Sequence, residues 1–197
     1  MRAVGAPIWL AMHRLFVALR PPEEVRDALI DTMEALEGAR WQDDEQLHLT
    51  LRFVGEVDAR AADDLVQALA RVSMQAFDVE LAGIGHFERK GVPQAIWARV
   101  LPSPALLALR GSVERACISA GQRAETRAFL PHVTIARLGR GTAPIGPWLA
   151  RHGTLRANWR ANGFALFESH LGHAGAAYEE IVHFPAPDAK RGTTEAD

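Results

Sequence analysis

In the stretch QLHLTLRFVGEV (46–57), Leu47, Leu49, Leu51 and Phe53 alternate with His48, Thr50 and Arg52. A period of two predicts a strand with one face toward a core and a polar face away from it. LPHVTIARLG (130–139) repeats the pattern, with Val133 and Ile135 behind His132 and Thr134. Other segments follow the same logic. RLFVAL (14–19) is a short apolar strand ended before Pro21 and Pro22, which suit a helix start. EEVRDALIDTMEALEG then carries Val25, Ala28, Leu29, Met33 and Leu36 at helical spacing, with Gly38 as its stop. Asp58 caps a second helix, ARAADDLVQALARVSM, and Ser103 caps a third that stops at Gly121. Between them, residues 77–101 read as a hairpin turning at RKGVPQ. A short helix at WLARHG and two strands, GFALFESHL and AAYEEIVHFP, complete the pattern.

The predicted order is β-α-β-α-β-β-α-β-(α)-β-β. Each half offers a strand, a helix, a His-x-Thr strand and further strands. The alternation of polarity predicts an α+β fold with two mainly antiparallel sheets, each with one open face and helices on the outside. Two lobes sharing one cleft is the natural arrangement. No linker separates the halves, so residues 13–185 form one bilobal domain. Residues 1–12 read as a flexible extension that faintly imitates a signal peptide, with Met12 as an alternative start. Residues 186–197 are polar, lack aromatics and read as a disordered tail.

Composition narrows the chemistry. A net charge of −2 over 197 residues gives no global field for long nucleic acid, so any such contact is local. The single cysteine, Cys117, excludes an internal disulfide and any cysteine-based zinc cluster. It falls in a helical pattern and reads as a buried, inert thiol compatible with a cytoplasmic protein. No apolar run is long enough to span a bilayer. His170 and His173, three apart in SHLGH, fall on opposite faces of a strand and make a poor metal pair. No metal or cofactor is expected.

Residues i and i+2 of a strand share a face. His48 therefore projects with Thr50, and His132 with Thr134. An imidazole gives or takes a proton near neutrality, and a threonine hydroxyl donates to a phosphoryl oxygen. Two such units across a cleft supply an acid, a base and two oxygen donors, a set suited to opening a cyclic phosphodiester. Two independent proton transfers lower a barrier by roughly 5–11 kcal/mol. The two histidines are 84 residues apart, at 48 and 132. An isolated His-x-Thr is ordinary on a solvent-facing strand; two in matching places of a duplicated layout are not.

HLTLRFVGEV and PHVTIAR resemble the paired motifs of the two-histidine (2H) phosphoesterase superfamily, and most of all the RNA 2′,3′-cyclic phosphodiesterases, also called 2′-5′ RNA ligase-like proteins. RLFVAL, GIGHF…IWARV and LFESHL…YEEIVHF extend the resemblance over residues 13–185. It implies a bilobal α+β fold with a pseudo-twofold axis and both histidines in the central cleft, and hydrolysis of RNA-terminal 2′,3′-cyclic phosphate to a 2′-phosphate. By the same resemblance His48 is the proton donor to the 3′ oxygen, His132 the proton acceptor from water, and Thr50 and Thr134 the holders of the non-bridging oxygens. The expected partners are RNA ends or small cyclic nucleotides, met by a monomer. Alternatives are a 2′-5′ oligonucleotide phosphodiesterase or ligase, a small cyclic-phosphate phosphodiesterase, and a non-catalytic RNA-end binder.

Four further residues are candidates for substrate binding. Arg52, four residues after His48, shares its face on a regular strand and could neutralise phosphate; the alternative is a solvated strand arginine. Arg137, five after His132, matches an arginine of the family's second motif. Its odd offset puts it on the wrong face unless the strand bulges near Ala136. Phe87 and Trp97, in the hairpin, could stack a terminal base or pack in the core.

Overall fold

The computed structural model describes residues 12–172 and 175–187. Its strands are β1 (Met12–Leu19), β2 (Ala39–Trp41), β3 (Leu49–Asp58), β4 (Phe77–Arg89), β5 (Val92–Val100), β6 (His132–Leu138), β7 (Arg156–Ala161), β8 (Gly163–Gly172) and β9 (Gly175–Pro185). The helices are α1 (Glu23–Ile30), α2 (Ala59–Leu69), α3 (Pro104–Ser119) and α4 (Gly146–His152). Asp58 caps α2 by accepting from the Ala61 N–H, and Ser103 caps α3 by accepting from that of Leu106. The β4–β5 turn puts Lys90 and Gly91 at φ 53° and 75°, as a tight hairpin turn requires. The expected N-terminal extension and C-terminal tail lie outside the described residues, apart from Met12, which opens β1, and Ala186 and Pro187.

All pairings are antiparallel, in the order β7-β4-β5-β6-β3-β1-β8-β9 with β2 on β6. The strands form one nine-stranded sheet, whose two halves stand where two sheets were expected. One comprises β2 and β4–β7, the other β1, β3, β8 and β9, and β3 meets β6 only at Leu49–Val133. The lobes are therefore not the two halves of the sequence: the middle of the chain builds one, and its ends build the other. A single residue, Asn162, carries the chain from β7 to β8.

The helices cover one face. Val25 and Leu29 of α1, Leu65 and Leu69 of α2, and Leu106, Leu109 and Val113 of α3 join Leu49, Leu51, Val133 and Ile135 in a continuous core. Cys117 is fully buried there, and burial pushes its thiol up to about 11, so it is inert as expected. A small second cluster, Phe16, Ala18, Ala165 and Phe167 with Tyr178, lies on the side away from the helices.

α1 stops eight residues short of its expected end. Past Ile30, the Thr32 hydroxyl bonds the Leu29 carbonyl, and the Thr32 carbonyl accepts from the Trp148 indole of α4. That carbonyl serves a tertiary contact instead of the helix ladder. β2 and β7 were not expected. β7 alternates Ala157, Trp159 and Ala161 inward with Arg156, Asn158 and Arg160 outward, a genuine strand pattern only six residues long.

Candidate active site

The Leu49–Val133 pair fixes the centre of the cleft. Antiparallel register then sets His48 across from Thr134 and Thr50 across from His132. Each imidazole is held by the same device. The Nδ1 of His48 lies 2.7 Å from the Gln46 carbonyl oxygen, and that of His132 lies 2.7 Å from the Leu130 carbonyl oxygen. A carbonyl only accepts, so both Nδ1 atoms carry the proton and both Nε2 atoms are free for chemistry. The histidines and threonines line one cavity of about 210 Å³, together with Arg14, Phe16, Gln42, Phe53, Arg137, Ser169, Ala176 and Tyr178.

Aromatic rings pack each imidazole. His48 lies against Phe16 (4.7 Å between centroids) and edge-on to Tyr178 (5.1 Å). His132 meets Phe87 (5.0 Å) and Trp97 (5.8 Å). Burial is the main reason that both hold protons poorly. It outweighs the carbonyl hydrogen bond at His48, whose pKa falls to about 4, with further lowering from His132, Arg137 and Arg20. His132 is lowered by burial and then by Arg137, against its own carbonyl bond. Burial thus keeps both imidazoles neutral at neutral pH. A phosphate anion between them would raise both.

A bulge reverses the expectation for Arg52. Ala18 opposes Thr50 and Val17 opposes Arg52, so Leu51 is an extra residue on β3. Beyond it the faces exchange. Arg52 turns to the helix side and is buried at 8% exposure, while Phe53 turns to the cleft at 37%. Arg52 does not line the cavity of the two histidines. Its Nε pairs with Glu114 of α3 at 2.9 Å, and its Nη1 lies 3.6 Å from Glu125. It also donates to the carbonyls of Phe53 and Arg123. Glu114 in turn accepts from the Glu125 N–H. One guanidinium from the first His-Thr strand thereby anchors the segment that runs into the second.

The same device places Arg137. Trp97 opposes Thr134 and Ile96 opposes Ala136, leaving Ile135 as the extra residue on β6. Ile135 and Ala136 are both fully buried, and Arg137 emerges on the cleft face. The bulge that its odd offset required is present. Trp97 corrects another expectation: at 6% exposure it lines neither cavity and backs His132, so it has no face for a base. Gly85 allows this, since a Cβ there would come within 2.6 Å of the Trp97 ring.

Phe87 stands differently. It lines a larger groove of about 580 Å³ that shares Thr50, Phe53 and His132 with the cavity of the two histidines and adds Phe129, Leu130, Arg110 and Arg127. Sequence reasoning missed Phe53, which it placed in the core, and Arg14, hidden at the head of an apolar run. A cavity of about 230 Å³ at the β7–β8 turn carries Arg20, Arg160 and His183. These pair with Asp44, Asp78 and Glu180, so it gathers no uncommitted charge. Among the described residues no His, Cys, Asp and Glu cluster is arranged to hold a metal ion, and His173 lies outside them.

The LigT-like phosphoesterase model matches residues 19–97 and 100–178, one His-x-Thr strand in each segment. The chain belongs to the LigT-like phosphoesterase family. Its relatives include RNA 2′,3′-cyclic phosphodiesterases from Aeropyrum pernix (39% identical, covering 76% of this chain and 87% of the relative) and Thermus thermophilus (32%, covering 87% and 89%). A third, from Geobacillus stearothermophilus, is 32% identical over 90% of this chain, which spans 59% of that relative's length. A Thermus thermophilus crystal structure superposes with a TM-score of 0.75 at 28% identity, covering 87% of this chain and 97% of that one. E. coli LigT complexed with 3′-AMP shares the fold, with a TM-score of 0.72 at 23% identity over 89% of this chain and 99% of its own. No helix among the described residues is long and apolar enough to cross a membrane.

Proposed function

We propose that this LigT-like phosphoesterase hydrolyses 2′,3′-cyclic phosphates at RNA ends to 2′-phosphates, by acid–base catalysis that needs no metal. The observation that carries this is the pair of Nε2 atoms, each freed by a carbonyl on Nδ1, facing one cavity across the Leu49–Val133 pair. The names of the relatives supply the substrate class.

His132 Nε2 takes a proton from water as the water oxygen attacks phosphorus. The bond from phosphorus to the 3′ oxygen breaks, and His48 Nε2 delivers a proton to that oxygen. The 2′ ester remains. Thr50, Thr134 and Arg137 hold the non-bridging oxygens, where charge grows in the transition state. The terminal base lies in the aromatic groove against Phe53 and Phe87. Burial favours neutral His48, so the donor proton is bound together with the phosphate. The site is complete within one chain, which fits a monomer, and its single buried thiol fits a cytoplasmic protein.

The test is product analysis on an RNA ending in a 2′,3′-cyclic phosphate, with chelator present. The expected product is the 2′-phosphate, with activity lost in His48→Ala and in His132→Ala. A 3′-phosphate product, or full activity in either variant, rules the reading out.

A further inference from the structure

The cleft carries a second guanidinium for which the cyclic phosphate has no need. Arg14 lines the same cavity as the histidines and Arg137. Its guanidinium carbon lies 5.2 Å from the centre of the Phe53 ring. Register fixes its place. Phe16 opposes Phe53, and Arg14 is two residues further along the same face of β1. β3 and β6 leave the Leu49–Val133 pair in opposite directions, so Arg14 and Phe53 stand at one end of the cleft and Arg137 at the other.

The aromatic groove opens on the Phe53 side. A nucleoside with its phosphate between the histidines and its base in that groove keeps its sugar, and whatever its 5′ oxygen carries, at that end. The other arginines there are already held by acids: Arg52 and Arg110 by Glu114, and Arg127 by Glu125. Glu168, on the neighbouring strand, is bound to His13 at 3.0 Å. Glu56 opposes Arg14 in the β1–β3 ladder, yet among the described residues no carboxylate lies within ion-pair distance of Arg14. A cyclic phosphodiester carries one negative charge, already met by Arg137, two hydroxyls and an imidazolium. An RNA end carries a second, on the phosphodiester that joins the terminal nucleotide to the chain.

We propose that Arg14 is a specificity-determining residue that binds this upstream phosphodiester, so that the enzyme prefers cyclic-phosphate ends of RNA to nucleoside 2′,3′-cyclic monophosphates. The inference rests on the function proposed above.

The test compares kcat/KM on a dinucleotide ending in a 2′,3′-cyclic phosphate with that on the nucleoside cyclic monophosphate of the same base. Wild type, Arg14→Ala and Arg14→Lys are measured at several salt concentrations. In Arg14→Ala the dinucleotide-to-mononucleotide ratio should fall about tenfold, mainly through the dinucleotide KM, and the salt dependence of that KM should flatten. Arg14→Lys should keep most of the ratio, because one point charge near the phosphodiester suffices. An unchanged ratio in Arg14→Ala overturns the inference, whether both substrates lose activity together or neither does. If the wild type turns over neither substrate, the proposed function fails and the inference with it.

Discussion

The first His-Thr strand and the second are one main-chain design with different side chains. Each imidazole is turned by the carbonyl two residues before it, and each strand bulges at the residue that follows its threonine. The bulges return the fifth residue after each histidine to the cleft. On β3 that residue is Phe53; on β6 it is Arg137. The residues before them, Arg52 and Ala136, both turn inward, one as a buried cation and the other as a methyl group. The shared backbone can furnish an acid and a base. The unshared side chains give the cleft an aromatic end and a cationic end, so a symmetric frame carries an asymmetric lining.

The largest expected effect tests the shared part. His48→Ala and His132→Ala should each lower kcat by about 10²–10⁴, with similar losses because both proton transfers are needed. A large loss in one and none in the other would break the equivalence. The fifth-position residues come next. Arg137→Ala should lower kcat/KM by about 10², because the charge it meets grows in the transition state. Phe53→Ala should cost about tenfold, chiefly in KM, since stacking holds substrate and transition state alike. Equal effects on kcat from both would mean that the two ends are not divided in this way.

The smallest effect on turnover belongs to the inward pair. Ala136 leaves nothing unpaired when changed, whereas Arg52→Met strips Glu114 of its closest cation and leaves it Arg110 at 3.8 Å. Thermal or denaturant unfolding should show a loss of about 3 kcal/mol. Adding Glu114→Leu should recover part of it, because the buried carboxylate left by Arg52→Met is removed, although Arg110 and the Glu125 N–H lose their acceptor. No recovery would show that Arg52 is held for reasons other than Glu114.

Most of the fold was legible because alternation, caps and turn residues act locally. His48, Thr50, His132 and Thr134 could be grouped from spacing alone, since i and i+2 share a face wherever the strand is regular. Legibility ended at the bulges. An inserted residue leaves no mark in composition, yet it exchanges the faces of everything after it. So Arg52 was expected in the cleft and found beneath it, and Phe53 the reverse. Arg137 was the one position where the sequence posed the question, through its odd offset. Arg14 stayed hidden because a strand buried on both faces reads as a continuous apolar run. The interleaving of the lobes depends on long-range pairing that no local pattern encodes.

The pH dependence of kcat/KM, in wild type and in each histidine variant, tests the central claim most directly. Burial holds both imidazoles of the free enzyme below the usual histidine value, His48 to about 4. A base that must be neutral fails at low pH, and an acid that must be protonated fails at high pH. The wild-type profile should therefore be a bell with its optimum below pH 6.5, and the kcat profile should lie higher because bound phosphate raises both groups. His132→Ala should lose the acid limb and His48→Ala the alkaline limb. A bell that persists unchanged when either histidine is removed would contradict the assignment of one acid–base pair to these two strands.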